Sequence, residues 1–497
     1  MAVLGLDIGT GGSRAVLVAD DGQLLATATA AHTPFASPAT GWAEQQPGDW
    51  WRAARQAIQQ VLSTGPVAAI DVRAVGLSGQ MHGAVLMDEA GEVVRPAIIW
   101  CDQRTDAECR ALTRQIGASR LIELVSNPAL TGFTLPKLLW VRDHEPAAWD
   151  RVRSVLLPKD FVRWCLTGER ATDVADASGT LLFDVAHRCW SATMLAEVDI
   201  AADLLPAAYE GPAVAGRVCA AGAKATGLAL GTPVVAGGGD QAASAVGMGV
   251  VRPGTVSATI GTSGVVFAAT DRPALDTCGR VHTFCHAVPE RWHVMGVTQG
   301  AGLSLRWFKD TFGLGDPGEV VDSDPYDRLC AVAGAAPVGS DGVMWAPYLM
   351  GERTPHLDPH ARAALVGLSA SHSRAHISRA LLEGVAFSLR DSLTIIDEMG
   401  LSTVRVRLGG GGARSPLWRQ IQADVYQLPV ELLEVEEGAA YGASLLAGVG
   451  AGLWDSVDQA SEAVVRVAET LTPIPEHMAA LDRQYERFRR LYQALHP

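Results

Sequence analysis

The chain has 497 residues, 48% of them hydrophobic and 19% charged, a balance that fills more than one core and excludes a mainly disordered protein. A formal net charge of −14, with no run of Lys and Arg, argues against nucleic acid as a partner. No apolar stretch reaches the ~18 residues of a membrane span. The eight cysteines (Cys101, Cys109, Cys165, Cys189, Cys219, Cys278, Cys285, Cys330) form no CxxC pair and show no zinc-ligand spacing, so they are read as reduced, mostly buried thiols. Met1 leads directly into a strand-like run without a basic segment or cleavage site, and the expected compartment is the cytoplasm.

Residues 3–8 are expected as a strand, 9–12 as a glycine turn, 14–19 as the return strand and 20–22 as the turn into a third strand. In Asp7-Ile8-Gly9-Thr10-Gly11-Gly12 a carboxylate at a strand end precedes glycines whose backbone N–H groups can approach a ligand. That suits Mg²⁺ and phosphate, or equally a plain hairpin capped by Asp7. Residues 48–62 carry apolar side chains at helical spacing. After a strand-like run at 75–78, the turn Gln80-Met81-His82-Gly83 should project His82 into a cleft, although an isolated histidine here is as readily structural. Trp100-Cys101-Asp102-Gln103-Arg104 ends a strand with an acid and a base two apart, fit for a ligand contact or an ordinary ion pair. Lys159 and Asp160 are read as structural.

Residues 234–241 run from a buried-type strand through Gly237-Gly238-Gly239 to Asp240 and Gln241. Three glycines in a row cost much chain entropy, which implies backbone passing close to something. Residues 254–269 repeat the opening plan, with Thr259-Ile260-Gly261-Thr262-Ser263-Gly264 as its turn. The repeat predicts two mixed α/β domains of like topology, the second beginning near 250–254. Glu352, Arg353 and His356 lie in a proline-flanked loop that an interdomain salt-bridge network would explain as well as chemistry. Residues 377–399 are expected as a helix. Residues 408–416 read as strand, glycine turn and helix start, with Ser415 as N-cap and Pro416 at the first helical position, a turn able to lie against an adenine or ribose. Neither Walker nor Rossmann spacing is present. The tail beyond Trp454, helical at 482–495, carries no chemistry.

Taken together, GFTLPKLLWVRDH (132–144) and ALVGLSASHSRAHISRALLE (364–383) resemble the two signatures of the FGGY carbohydrate kinase family. GWAEQQPGDWW (41–51), GLSGQMHG (76–83), LLPKD (156–160) and PYLMGERTPH (347–356) match as well, and the resemblance runs to about residue 450. It implies an α/β, actin-like ATPase fold of two ribonuclease-H-like domains flanking an ATP/sugar cleft: 1–248 sugar-binding, 249–450 nucleotide-binding, and 451–497 a helical tail packed on the second domain. The implied reaction is ATP- and Mg²⁺-dependent phosphorylation of a small-molecule ketose, D-xylulose to D-xylulose 5-phosphate first, with ribulose, fuculose and glycerol as alternatives. An actin-like nucleotide switch is the reading from another class, but QMHG and WCDQR have no task in one. No nucleic acid or membrane partner is expected, and homodimerisation stays open.

Carried over residue by residue, the resemblance makes Asp240 the base and Asp7 the Mg²⁺ ligand. It assigns Gln80, Met81, His82, Asp102 and Gln241 to the sugar. Thr10, Gly11, Arg14, Gly261, Thr262, Ser263, Gly410, Gly411, Gly412 and Ala413 fall to ATP. Gly11 and Gln241 stand where the family pattern has Ser and Asn.

Overall fold

The computed structural model describes residues 1–313 and 324–495. Two seven-stranded sheets dominate it. In the first, Ala2–Ile8, Gly12–Ala19 and Leu24–Ala31 form an antiparallel meander. Val72–Gly79 lies parallel to Ala2–Ile8 on the other side, followed by Pro233–Val235 and Gly238–Gly239. The second sheet repeats this order with Gly254–Ile260, Gly264–Thr270 and Trp292–Thr298 as its meander and Thr403–Gly410 and Val430–Leu433 as its parallel strands. The expected duplication of strand, glycine turn and strand is thus present at the level of whole sheets.

Ala2–Ile8 is apolar on both sides because both faces of its sheet are covered. Helix Pro47–Thr64 lays Trp50, Ala53, Ala54, Ala57, Ile58 and Val61 on one face, the three- and four-residue spacing read from the sequence. Helix Gly438–Gly450 covers the other. It lies unusually close: Gly5 and Gly76 are register partners, and a Cβ on either would overlap the carbonyl oxygen of Ala440 or Ala443. A Cβ on Gly442 would likewise overlap the Ala243 carbonyl, so this helix also meets helix Asp240–Gly247 backbone to backbone.

Two expectations change here. Residues 438–450, placed in the second domain by the sequence, pack on the first sheet. Residues 451–497 are not simply a helical tail. Helix Val457–Val464 fits beneath the Gly22 turn, and Val467–Leu471 joins the second sheet beside Val430–Leu433. Only helix Pro475–Leu495 matches the tail as envisaged, burying Leu481, Tyr485, Phe488 and Leu491 in the second core. All eight cysteines are free, but Cys189 and Cys278 are exposed, while Cys109, Cys285 and Cys330 are buried. Among the described residues no helix is long and apolar enough to cross a membrane.

Candidate active site

The parallel strands of the first sheet deliver their carboxyl ends to one place, the usual location of a ligand in such sheets. Asp7 is the register partner of Ser78, and Ser78 of Gly238, so Asp7 and the start of helix Asp240–Gly247 flank the end of Val72–Gly79. Burial pushes the Asp7 carboxyl up to about 6, although Ser78 and Arg14 favour its charge. Burial and then the charge of Asp7 push Asp240 up to about 7, against hydrogen bonds from Gln241. Two carboxylates held near one another out of water cannot both ionise freely.

The three glycines before Asp240 do pass close to something, but it is the protein itself. Gly237 has φ +76°, and a Cβ there would overlap the Leu77 carbonyl oxygen; one on Gly239 would sit 2.9 Å from Met81 Cγ. The glycines therefore press Asp240 against the Met81 turn.

Met81 is buried, and His82 follows with φ +68°. Its Nδ1 donates to Gly179 O at 2.7 Å, and its own carbonyl accepts from Lys137 Nζ at 2.8 Å and Thr134 Oγ1 at 3.1 Å. Burial, with the nearby Lys137 charge, holds the imidazole well below its ordinary pKa. A neutral ring with its proton on Nδ1 leaves Nε2 as an acceptor only. The sequence allows His82 both roles, but in the fold it can only receive a hydroxyl proton.

Two residues assigned to the sugar are otherwise occupied. Gln80 donates to Gly9 O (3.3 Å) and Gln45 Oε1 (3.0 Å) and accepts from Thr10 Oγ1 (3.3 Å), which props the first glycine turn. Asp102 is wholly buried and accepts from Ala43 N (2.6 Å), Arg104 N (2.9 Å) and the Arg104 guanidinium (2.7 Å). Both its oxygens accept hydrogen bonds inside the protein, which positions its loop. Lys159 is structural as expected. Burial opposes its charge, but Asp160 (2.6 Å), Asp173 (2.6 Å) and Asp176 (3.2 Å) outweigh that and hold it above its usual pKa.

On the second sheet, Gly261 N donates to Ser263 O at 2.9 Å, while the Gly261 and Thr262 carbonyls accept from Gly302 N (2.9 Å) and Leu303 N (3.0 Å) at the start of helix Ala301–Phe312. A cavity of ≈ 270 Å³ opens beside this turn, lined by Gly261, Thr262, Gly411 and Gly412 together with Leu305, Tyr326 and Trp418. Apolar walls beside glycine backbone suit a flat heterocycle and its phosphates. Ser263 and Gly410 lie off this wall, and Ala413 is buried with its carbonyl accepting from Arg419, so these three ATP assignments do not line the cavity. Ser415 caps Trp418 N (3.4 Å) with Pro416 following, as its sequence predicts. Leu305, Tyr326 and Trp418 carry no motif of their own and are legible only as helix positions. In the first turn, Thr10 accepts from Trp100 Nε1 at 2.9 Å, Gly11 faces open space, and Arg14 pairs with Glu437 beside Asp7.

The donor set fits Mg²⁺. Asp7 Oδ1 is a buried oxygen without a hydrogen-bond partner, and the Asp7 charge is close enough to raise the pKa of Asp240. Among the described residues no cluster of three or more His, Cys, Asp or Glu could hold a metal alone.

In the loop read as a possible interdomain salt-bridge network, Glu352, buried, accepts from Thr298 Oγ1 (2.6 Å), Gln299 N (2.8 Å) and Arg353 N (2.8 Å), and His356 stacks on Tyr492 with centroids 3.7 Å apart. The Arg353 side chain leaves this loop and reaches the first half, its NH2 standing 3.0 Å from where a Cβ of Gly132 would be.

Comparison with known proteins identifies the family. The model of the FGGY family of carbohydrate kinases, N-terminal domain, matches residues 2–247, and its C-terminal domain model matches 256–451. The chain is 37% identical to the xylulose kinase of Bacillus subtilis (strain 168) over 490 residues, covering 99% of this chain and 96% of that one. It is 39% identical to the xylulose kinase of Escherichia coli (strain K12) over 495 residues, 99% of each. The crystal structure of a "xyloylose kinase" from Brucella ovis superposes with a TM-score of 0.92 at 36% identity, covering 100% of this chain and 99% of that one. The xylulose kinase of Rhodospirillum rubrum gives 0.91 at 34%, with the same coverage. The protein is therefore an enzyme with the two-domain α/β fold of the sugar kinases: it belongs to the FGGY family of carbohydrate kinases and is closely related to bacterial xylulose kinases.

Proposed function

We propose that this enzyme transfers the γ-phosphate of ATP to D-xylulose, giving D-xylulose 5-phosphate. The observation that carries the reading is that adjacent parallel strands end on two buried carboxylates, Asp7 and the Asp240 whose pKa it raises, beside the Met81-His82 turn with its acceptor nitrogen. The choice of D-xylulose draws on the similarity to the B. subtilis and E. coli xylulose kinases. Phosphoryl transfer asks the protein mainly for positioning and charge neutralisation. Asp240, raised to about 7, is matched to take a proton from the attacking hydroxyl at neutral pH, and Gln241 orients it. His82 Nε2 accepts from a second sugar hydroxyl while Met81 offers an apolar surface to a carbon face. Bound Mg²⁺, held through Asp7, would neutralise charge on the transferring phosphate. Backbone N–H groups of the 9–12 and 261–264 turns receive phosphate oxygens, with the base and ribose in the cavity between Thr262 and Gly411.

The shared strand order of the two sheets supports the ribonuclease-H-like reading of both domains, with 1–248 carrying the sugar and 249–450 the nucleotide, helix Gly438–Gly450 of the latter packing on the first sheet. A cytoplasmic enzyme acting on free ketose completes the proposal. A coupled ADP-release assay over D-xylulose, L-ribulose, L-fuculose and glycerol tests it. D-xylulose should give the highest kcat/KM, and a win for glycerol or L-ribulose would overturn the substrate.

A further inference from the structure

Arg353 belongs to the second half of the chain, yet its guanidinium lies against the sugar side of the first. It stands beside Gly132, and its charge is felt at His82, Lys137, His282 and Cys101. None of these offers it a carboxylate. The one acid next to it, Glu352, gives its oxygens to Thr298, Gln299 N and Arg353 N, not to the guanidinium. Among the described residues the Arg353 side chain makes no hydrogen bond or ion pair, and burial holds its pKa down. The other cation of this wall, Lys137, is already used: its ammonium donates to His82 O at 2.8 Å and Gly132 O at 2.7 Å. Arg353 is half-buried, and a guanidinium whose fork of donors meets no protein acceptor is available to a ligand that supplies one.

The two sides of this wall are complementary in hydrogen-bond polarity. His82 Nε2 can only accept, so it takes a hydroxyl. Arg353 can only donate, so it takes an oxygen with a lone pair and no need to give a proton. A keto oxygen is such a group; the hydroxyl of the corresponding polyol is a poorer match. Resting on the reading of the enzyme as a ketose kinase, we infer that Arg353 is a specificity-determining contact that donates to the carbonyl oxygen of the open-chain ketose and so distinguishes it from a pentitol. Because Arg353 and His82 come from opposite halves, the sugar bridges them, and the contact forms only when the halves are together.

The test compares D-xylulose with xylitol and D-arabitol, its two reduced forms, in the wild type, Arg353→Met and Arg353→Lys. In Arg353→Met, kcat/KM for D-xylulose should fall by about tenfold or more, chiefly through KM, while pentitol turnover changes by less than about threefold. Sugar-independent ATP hydrolysis should persist in both variants. Arg353→Lys, which keeps the charge without the fork, should recover part of the ketose preference, and it carries the same comparison if the Met variant does not fold. Equal losses on ketose and pentitol, or none on either, would overturn the assignment. A wild type that prefers another ketose overturns D-xylulose alone, and the comparison is then made with that ketose and its polyols. A wild type that prefers a polyol overturns both.

Discussion

The two glycine turns make the most instructive contrast in the molecule. Both leave the first strand of a meander, and in both a backbone N–H closes the turn onto a carbonyl, Gly9 N to Gly12 O (3.0 Å) and Gly261 N to Ser263 O (2.9 Å). Two residues before each stands a side chain of different character, Asp7 in the first and Thr259 in the second. The first turn is clamped by Gln45, Gln80 and Trp100 on Thr10 and brings a carboxylate up against Asp240. The second is exposed at Gly261 and Thr262 and faces a cavity with apolar walls. One plan used twice has been divided into a rigid, acidic half suited to proton and metal chemistry and an open half suited to holding a nucleotide.

The sharpest way to break that division is Asp240→Asn, which keeps the shape but cannot take a proton. The expected loss in kcat is about 10²- to 10⁴-fold with sugar KM little changed, and near-native turnover in the ADP-release assay would remove Asp240 from the role of base. On the other side, a Cβ at Gly411 meets nothing nearer than Ile260 O at 3.8 Å, so Gly411→Val should fold yet fill the nucleotide cavity. KM for ATP should rise by about tenfold or more with sugar KM unaffected; a rise in both would show that the turns do not divide the work.

A smaller effect is expected of His82→Asn, chosen because asparagine tolerates the positive φ at this position while lacking Nε2. It should cost on the order of 1–3 kcal/mol in kcat/KM for the sugar, with ATP hydrolysis in its absence retained. Unchanged sugar kinetics would make His82 purely structural.

The least effect is on stability. Asp240 titrates near 7 in the fold against 3.8 for a free carboxyl. The folded state then holds the extra proton between roughly pH 4 and 7, and stability falls as pH rises through that window. Without nucleotide, Asp240→Asn should raise Tm by more at pH 8 than at pH 5. An equal shift at both would mean that the fold bears no cost for this carboxyl.

Much of this was readable in the chain because it is local. Both strand, turn and strand units, helix Pro416–Tyr426 with its Ser415 cap, and the carboxylates at strand ends follow from short-range rules. What was not readable depends on distant partners. Asp102 looks like a contact until Ala43 N and the Glu44–Arg104 pair arrive from another loop. The triple glycine reads as a close backbone approach without naming its neighbour, and the neighbours are Leu77 and Met81. Helix Gly438–Gly450 is apolar on nearly every side, so no stripe indicates which sheet it serves. The cavity residues Leu305 and Tyr326 sit in helices whose pattern speaks only of packing.

That same helix has a consequence for how the protein is made. The face of the first sheet bearing Gly5 and Gly76 gains its cover only when residues 438–450 have left the ribosome, more than 350 residues after its own central strands. The amino-terminal half therefore cannot mature as an independent bead during translation; it waits with an apolar face open for most of the chain, in the manner of a high-contact-order fold. A truncation ending at residue 248 would keep that face open permanently, so the first half does not fold without helix 438–450, although the sequence reads as two domains.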